Sequence, residues 1–183
     1  VLRKADVESF DVFNNLYAKD AKQVFCNGHI LKNASPESFE TLDSGFTLDS
    51  PSYFRSWSSY GYAKDEERVY YFGFWARKAD PKNFLVVNSR FARDAKSAFF
   101  EEKAILKADL KTWRPMFGNY SLDKNRLYYE NKEVKGADTF TFVALRPLEF
   151  EYGKDLANYY SRGMLSSRED YLESLESWIE GLE

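Results

Sequence analysis

Polar and apolar positions along this chain repeat a single phrase. An aromatic residue is followed by two small or basic residues and an aspartate, and rings return five and six residues after the aspartate. The phrase reads Tyr17-Ala18-Lys19-Asp20, Phe46-Thr47-Leu48-Asp49, Tyr62-Ala63-Lys64-Asp65, Phe91-Ala92-Arg93-Asp94, Tyr120-Ser121-Leu122-Asp123 and Tyr152-Gly153-Lys154-Asp155. The returning pairs are Phe25-Cys26, Phe54-Arg55, Tyr70-Tyr71, Phe99-Phe100 and Tyr128-Tyr129, with a slip of one to Tyr159-Tyr160 in the last copy. The spacing predicts a short strand, a turn opened by the aspartate, whose side chain can bond its own backbone two residues on, and a return strand. Alternation runs on through that return, with Leu127, Tyr129, Asn131 and Glu133 against Tyr128, Glu130, Lys132 and Val134.

Each unit has a second half. Ala34, Ala79, Ala108 and Ala137 lie fourteen residues after an aspartate, and Phe39, Phe84, Trp113 and Phe142 follow them by five. Ala-Ser-Pro at 34–36 and Ala-Asp-Pro at 79–81 predict a short helical turn, with an N-cap and then proline at the first helical position. Ala5 and Phe10 match this second half alone, so 1–16 reads as a half-repeat and predicts a further segment upstream. The phrase starts lie 29, 16, 29, 29 and 32 residues apart. Repeats are therefore expected at 17–45, 46–61 (shortened), 62–90, 91–119, 120–148 and 149–166 (degenerate), within one domain over 1–183. From Ser167 the period changes: Tyr171, Leu172, Leu175, Trp178, Ile179 and Leu182 share one helical face, and Ser167 with Asp170 predicts a capping box. A helix over 167–183 is expected to cap the array, as open-ended repeat arrays require. The fold class expected is mostly β: tandem antiparallel β-hairpin repeats with short helical turns, plus a C-terminal α-helix.

The run Asp123-Lys124-Asn125-Arg126-Leu127-Tyr128-Tyr129, and the stretch YAKDEERVYYFGFWARKADPKNF over 62–84, resemble the bacterial DKNYY repeat family. The likeness covers most of the chain and is weakest at 46–61 and in the last copy. It implies a bacterial repeat protein, some of whose relatives look exported or lipid-anchored, and it attaches no catalytic residue to any position.

Composition narrows the classes. Aromatics make up 18% of residues, with 9 Gly and 5 Pro, which excludes a disordered or low-complexity chain. The formal net charge is −3 with acids and bases interleaved, without the basic stripe that nucleic-acid binding needs. No apolar run approaches the ~20 residues of a membrane span. One cysteine excludes an internal disulfide, and one histidine with it leaves no set for the usual zinc clusters. Cys26 and His29 could form a dyad, yet Cys26 fills the slot of Tyr71, Phe100 and Tyr129, so packing is the stronger reading. Asp65, Asp94 and Asp123 could be pictured on calcium, which needs six to eight converging oxygens where each turn offers one or two.

No constellation for hydrolysis, phosphate binding or redox chemistry is present, so the chain is expected not to be an enzyme and to need no cofactor. The expected function is non-catalytic protein binding, in its sharpest form an immunity protein that masks a toxin's active surface. The alternative is a structural or envelope-associated repeat protein preceded by a signal sequence. Location follows accordingly: cytoplasmic in the first case, periplasm or envelope in the second. Trp, Tyr and Arg dominate binding energy at interfaces, so the candidate partner-binding residues are Tyr53, Arg55, Trp57 and Tyr60 in the shortened copy and Trp113 and Arg114 in a second patch.

Overall fold

A computed structural model describes residues 5–45, 61–145 and 151–181. Among them the chain builds five four-stranded sheets, each a meander in chain order. The first holds β1 (Asp11–Val12), β2 (Tyr17–Lys19), β3 (Val24–Cys26) and β4 (His29–Leu31). The second holds β5 (Glu40–Thr41), β6 (Tyr62–Lys64), β7 (Val69–Tyr71) and β8 (Phe74–Trp75). The third holds β9 (Leu85–Val86), β10 (Phe91–Arg93), β11 (Ala98–Phe100) and β12 (Lys103–Ile105). The fourth holds β13 (Arg114–Pro115), β14 (Tyr120–Leu122), β15 (Leu127–Tyr129) and β16 (Lys132–Val134). The fifth holds β17 (Val143–Ala144), β18 (Tyr152–Lys154), β19 (Tyr159–Ser161) and β20 (Met164–Ser166), and helix α1 (Arg168–Glu180) follows.

The mostly β, hairpin-repeat architecture is the expected one, but each copy has four strands rather than two. A two-residue turn folds the return strand back on itself, as where Tyr129 pairs with Lys132. The turn reverses the parity of the alternation, so Val134 shares a face and a cluster with Leu127 and Tyr129, where the unbroken run 127–134 placed it on the opposite face. Its first residue takes a left-handed backbone: Asn27 at φ 46°, Phe72 at 49°, Glu101 at 53°, Glu130 at 52° and Arg162 at 49°. Only Asn27-Gly28 carries the residues that favour this turn. A ring at positive φ, as at Phe72, is strained, and Phe72 packs against the buried clusters on both sides of its sheet.

The irregular intervals also resolve. Four residues join the first and second strands in the first, third and fourth sheets (13–16, 87–90 and 116–119). In the second sheet the join is 42–61, twenty residues, and in the fifth it is 145–151, seven residues. The excesses, 20 − 4 = 16 and 7 − 4 = 3, are the 16-residue interval and the extra three of the 32-residue one. Segment 46–61, read from sequence as a shortened copy, lies outside the described residues apart from Gly61; Glu40 pairs with Lys64 and Thr41 with Ala63 across this connection. Asp43 ties its ends, accepting from Gly45 N–H at 2.9 Å and Tyr62 N–H at 2.6 Å. Asn14 and Asn88 do the same work in the uninterrupted joins. Burial pushes the Asp43 carboxyl above its ordinary range.

The expected slip in the last copy is not a slip. Gly153 pairs with Tyr160 as Ser121 pairs with Tyr128, so Tyr160 keeps register and Ser161 fills the second ring slot.

Contacts divide the chain into two compact units, one of residues 5–45 with 61–104 and one of 105–145 with 151–181. Inside each, neighbouring sheets bury rings between them. Tyr17, Val24 and Cys26 of the first sheet meet Phe39, Ala63 and Tyr70 of the second. Tyr62, Val69 and Tyr71 then meet Phe84, Ala92 and Phe99 of the third. In the other unit Tyr120 and Leu127 meet Phe142 and Tyr160. Alternate residues of one strand thus serve the neighbours on opposite faces. The central phenylalanine bridges two rings in each case: Phe39 lies 5.5 Å from Tyr17 and 6.2 Å from Tyr70, Phe142 5.1 Å from Tyr120 and 6.0 Å from Tyr160.

Candidate protein-binding site

The repeated aspartates are structural hubs. Asp123 is fully buried. Its Oδ1 accepts from the N–H groups of Asn125 at 2.7 Å and Arg126 at 2.8 Å. Its Oδ2 accepts from Asp109 N–H at 2.9 Å and from the Tyr128 hydroxyl at 3.0 Å. Asp65 takes the same set from Glu67, Arg68, Ser35 and Tyr70, and Asp155 from Ala157, Asn158, Asp138 and Tyr160. At Asp20 and Asp94 the ring is Phe25 or Phe99, and three backbone donors hold the carboxylate. A buried carboxylate so engaged costs little to keep, because each donor would otherwise lie buried and unmet. Each of these carboxylates is held by three or four protein donors, and the described residues hold no cluster of three metal-ligating side chains.

The opening tyrosines are hubs of a second kind. The Tyr17 hydroxyl donates to Gly61 O at 3.2 Å and accepts from Gly73 N–H at 3.0 Å, both in the next sheet. Tyr120 repeats this with Glu151 O and Gly163 N–H, each at 3.0 Å. Tyr152 reaches helix α1 instead, at Asp170 O (3.2 Å) and Ser174 Oγ (3.0 Å), and Tyr171 of the helix lies 5.4 Å from its ring. Ser167 and Asp170 form the expected capping box, each side chain accepting the other's backbone N–H at 3.0 Å.

Cys26 is buried opposite His29, which is exposed. Burial pushes the thiol up to about 11, the reverse of the depressed value that a nucleophile needs. Its small side chain has a packing reason: a Cβ on Gly73 would stand 3.1 Å from the Cys26 sulfur.

With the interior committed, the surface is where copies differ. The first two positions of the last strand read Lys103-Ala104 and Lys132-Glu133 in the third and fourth sheets. In the second sheet they read Phe74-Trp75, on edge strand β8, 61% and 46% exposed. The Arg68 and Arg77 guanidinium carbons each lie over the Trp75 ring, 5.5 Å from its centroid. Arg68 also donates to Asn33 O at 2.7 Å and pairs with Glu67 at 3.1 Å. Such cation–π contacts at exposed sites contribute roughly 0.5–1 kcal/mol each and hold long side chains in place.

The residues singled out from sequence fall elsewhere. Tyr53, Arg55, Trp57 and Tyr60 lie outside the described residues. Trp113 is 8% exposed in the slot of Phe84 and Phe142, so it packs inside; Arg114 beside it is exposed on β13. Sequence reasoning missed Phe74-Trp75 because rings are everywhere in this chain. The usable signal was the tryptophan itself, at a position that holds Ile30, Ala104, Glu133 and Leu165 in the other four copies.

No helix among the described residues is long and apolar enough to cross a membrane. The DKNYY family pattern matches residues 1–132. No curated protein and no solved structure matches the chain.

Proposed function

The chain belongs to the DKNYY family, and we propose that this member is a non-catalytic protein-binding repeat protein, most concretely an immunity protein that neutralises a toxin by masking its active surface. One observation carries the reading: a half-exposed tryptophan on a sheet edge lies under two arginine guanidinium groups, at a position that holds alanine in the third sheet and glutamate in the fourth. Exposed Trp and Arg held in fixed geometry are what binding hot spots are made of. The buried aspartates and the opening tyrosines hold the scaffold together, and Cys26 holds its proton, which favours binding over chemistry. The test is co-purification with the product of the gene next to this one. A stoichiometric complex is expected, and Trp75→Ala should weaken it at least about tenfold while the fold stays intact. A neighbour's product that does not bind, or a complex indifferent to Trp75→Ala, removes the reading.

A further inference from the structure

Resting on that reading, we infer that the surface around Trp75 receives an acidic segment of a partner protein, whose carboxylates bond Arg77 and Arg68 while an apolar side chain lies on Phe74 and Trp75. Local charge is the first reason. Arg68 and Arg77 lie over Trp75, and the exposed Lys78 follows Arg77 in the chain, in a protein of net charge −3. Glu67 pairs with Arg68, and no salt bridge reaches Arg77 among the described residues. A guanidinium carries five donors in a planar fork that matches a carboxylate; one Arg68 nitrogen already serves Asn33 O and Glu67, which leaves Arg77 as the principal fork. Geometry is the second reason. Trp75 pairs with Tyr70 and Phe74 with Tyr71 on the outermost strand of their sheet, so both rings stand on a backbone fixed by pairing. The third reason is the contrast with the fourth sheet, where Glu133 occupies the Trp75 position and forms an ion pair with Arg126 at 3.7 Å. There Glu133 meets Arg126; on the second sheet Glu67 meets Arg68, and the partner supplies the carboxylate for Arg77. A nucleic acid would need a longer basic stripe than these three cations offer.

The experiment uses the full chain and three fluorescein-labelled probes: a peptide of about 12 residues rich in Glu and Asp with a central Leu-Phe, its counterpart with lysines for the acids, and oligothymidylate, followed by anisotropy against rising salt. The acidic peptide should bind at least about tenfold tighter than the lysine peptide and weaken with salt. Arg77→Glu should abolish the preference, Arg77→Lys should keep part of it, and Trp75→Ala should lose at least about tenfold, with melting temperatures that move by no more than about 4 °C. Equal binding of the two peptides, no binding, or preference for oligothymidylate overturns the inference. If the acidic peptide fails while a partner complex still depends on Trp75, the partner's chemistry is wrong and the binding function stands. If neither depends on Trp75, both fall.

Discussion

The second and fourth sheets are the same inside and opposite outside. Asp65 and Asp123 each hold two turn amides, one amide from further up the chain and one tyrosine hydroxyl, with matching distances. Yet β8 presents Phe74 and Trp75 where β16 presents Lys132 and Glu133. Four hydrogen bonds fix the identity and place of a buried carboxylate; nothing in the scaffold fixes an exposed edge residue. Divergence is thus cheap on the edge and expensive at the hub, and a departure from the repeat on the edge points to a partner.

The comparison breaks first at the hubs. Asp65→Ala and Asp123→Ala should each destabilise by roughly 3–5 kcal/mol, since each orphans four donors and a single orphaned donor costs about 1–3. Midpoints of chemical denaturation read this, and equal losses in the two sheets are expected. A hub variant that costs under about 1 kcal/mol would show that the carboxylate is dispensable.

Acid should act on both units together. The Asp6 backbone amide holds the Asp20 carboxyl below its usual range, the Lys111 amide does the same for Asp109, and at Asp155 hydrogen bonds led by the Asp138 amide outweigh burial. A lowered folded value means stability that is present above the unfolded carboxylate range, about 3.9, and is lost as pH falls through the folded values. The denaturation midpoint should hold from neutral pH to about 5 and fall below 4. A midpoint that rises on acidification would contradict these hydrogen bonds.

Removing one hydroxyl is a finer cut. Tyr70→Phe and Tyr128→Phe should each cost about 1 kcal/mol, converting these sheets to the form that Phe25 and Phe99 already give the first and third. Burial and the partner aspartates raise both phenols above their ordinary value, so neither hydroxyl ionises in the ordinary range and the loss should not vary between pH 6 and about 9.

The smallest effect sharpens the contrast most. Trp75→Ala should change stability by about 0.5–1 kcal/mol or less, the scale of its arginine contacts, as should Lys132→Ala by its lack of burial. Only the first should alter partner binding. A Trp75→Ala variant that unfolds would make Trp75 part of the core and remove it as a contact residue.

Sequence alone determined the local chemistry. The aspartate turns, the ring slots, the C-terminal helix with its Ser167–Asp170 box and the repeat period all follow from interactions within a few residues, so they show in the order of residue types. Tertiary structure decided what depends on pairing at a distance. Which strand Glu40 joins, across twenty intervening residues, is a matter of register. The left-handed turns at Phe72 and Glu130 form because packing outweighs a poor local fit. Burial separated Trp113 from Trp75: the two are alike as letters, but one is buried and the other stands half-exposed on an edge strand, a difference set by packing at a distance.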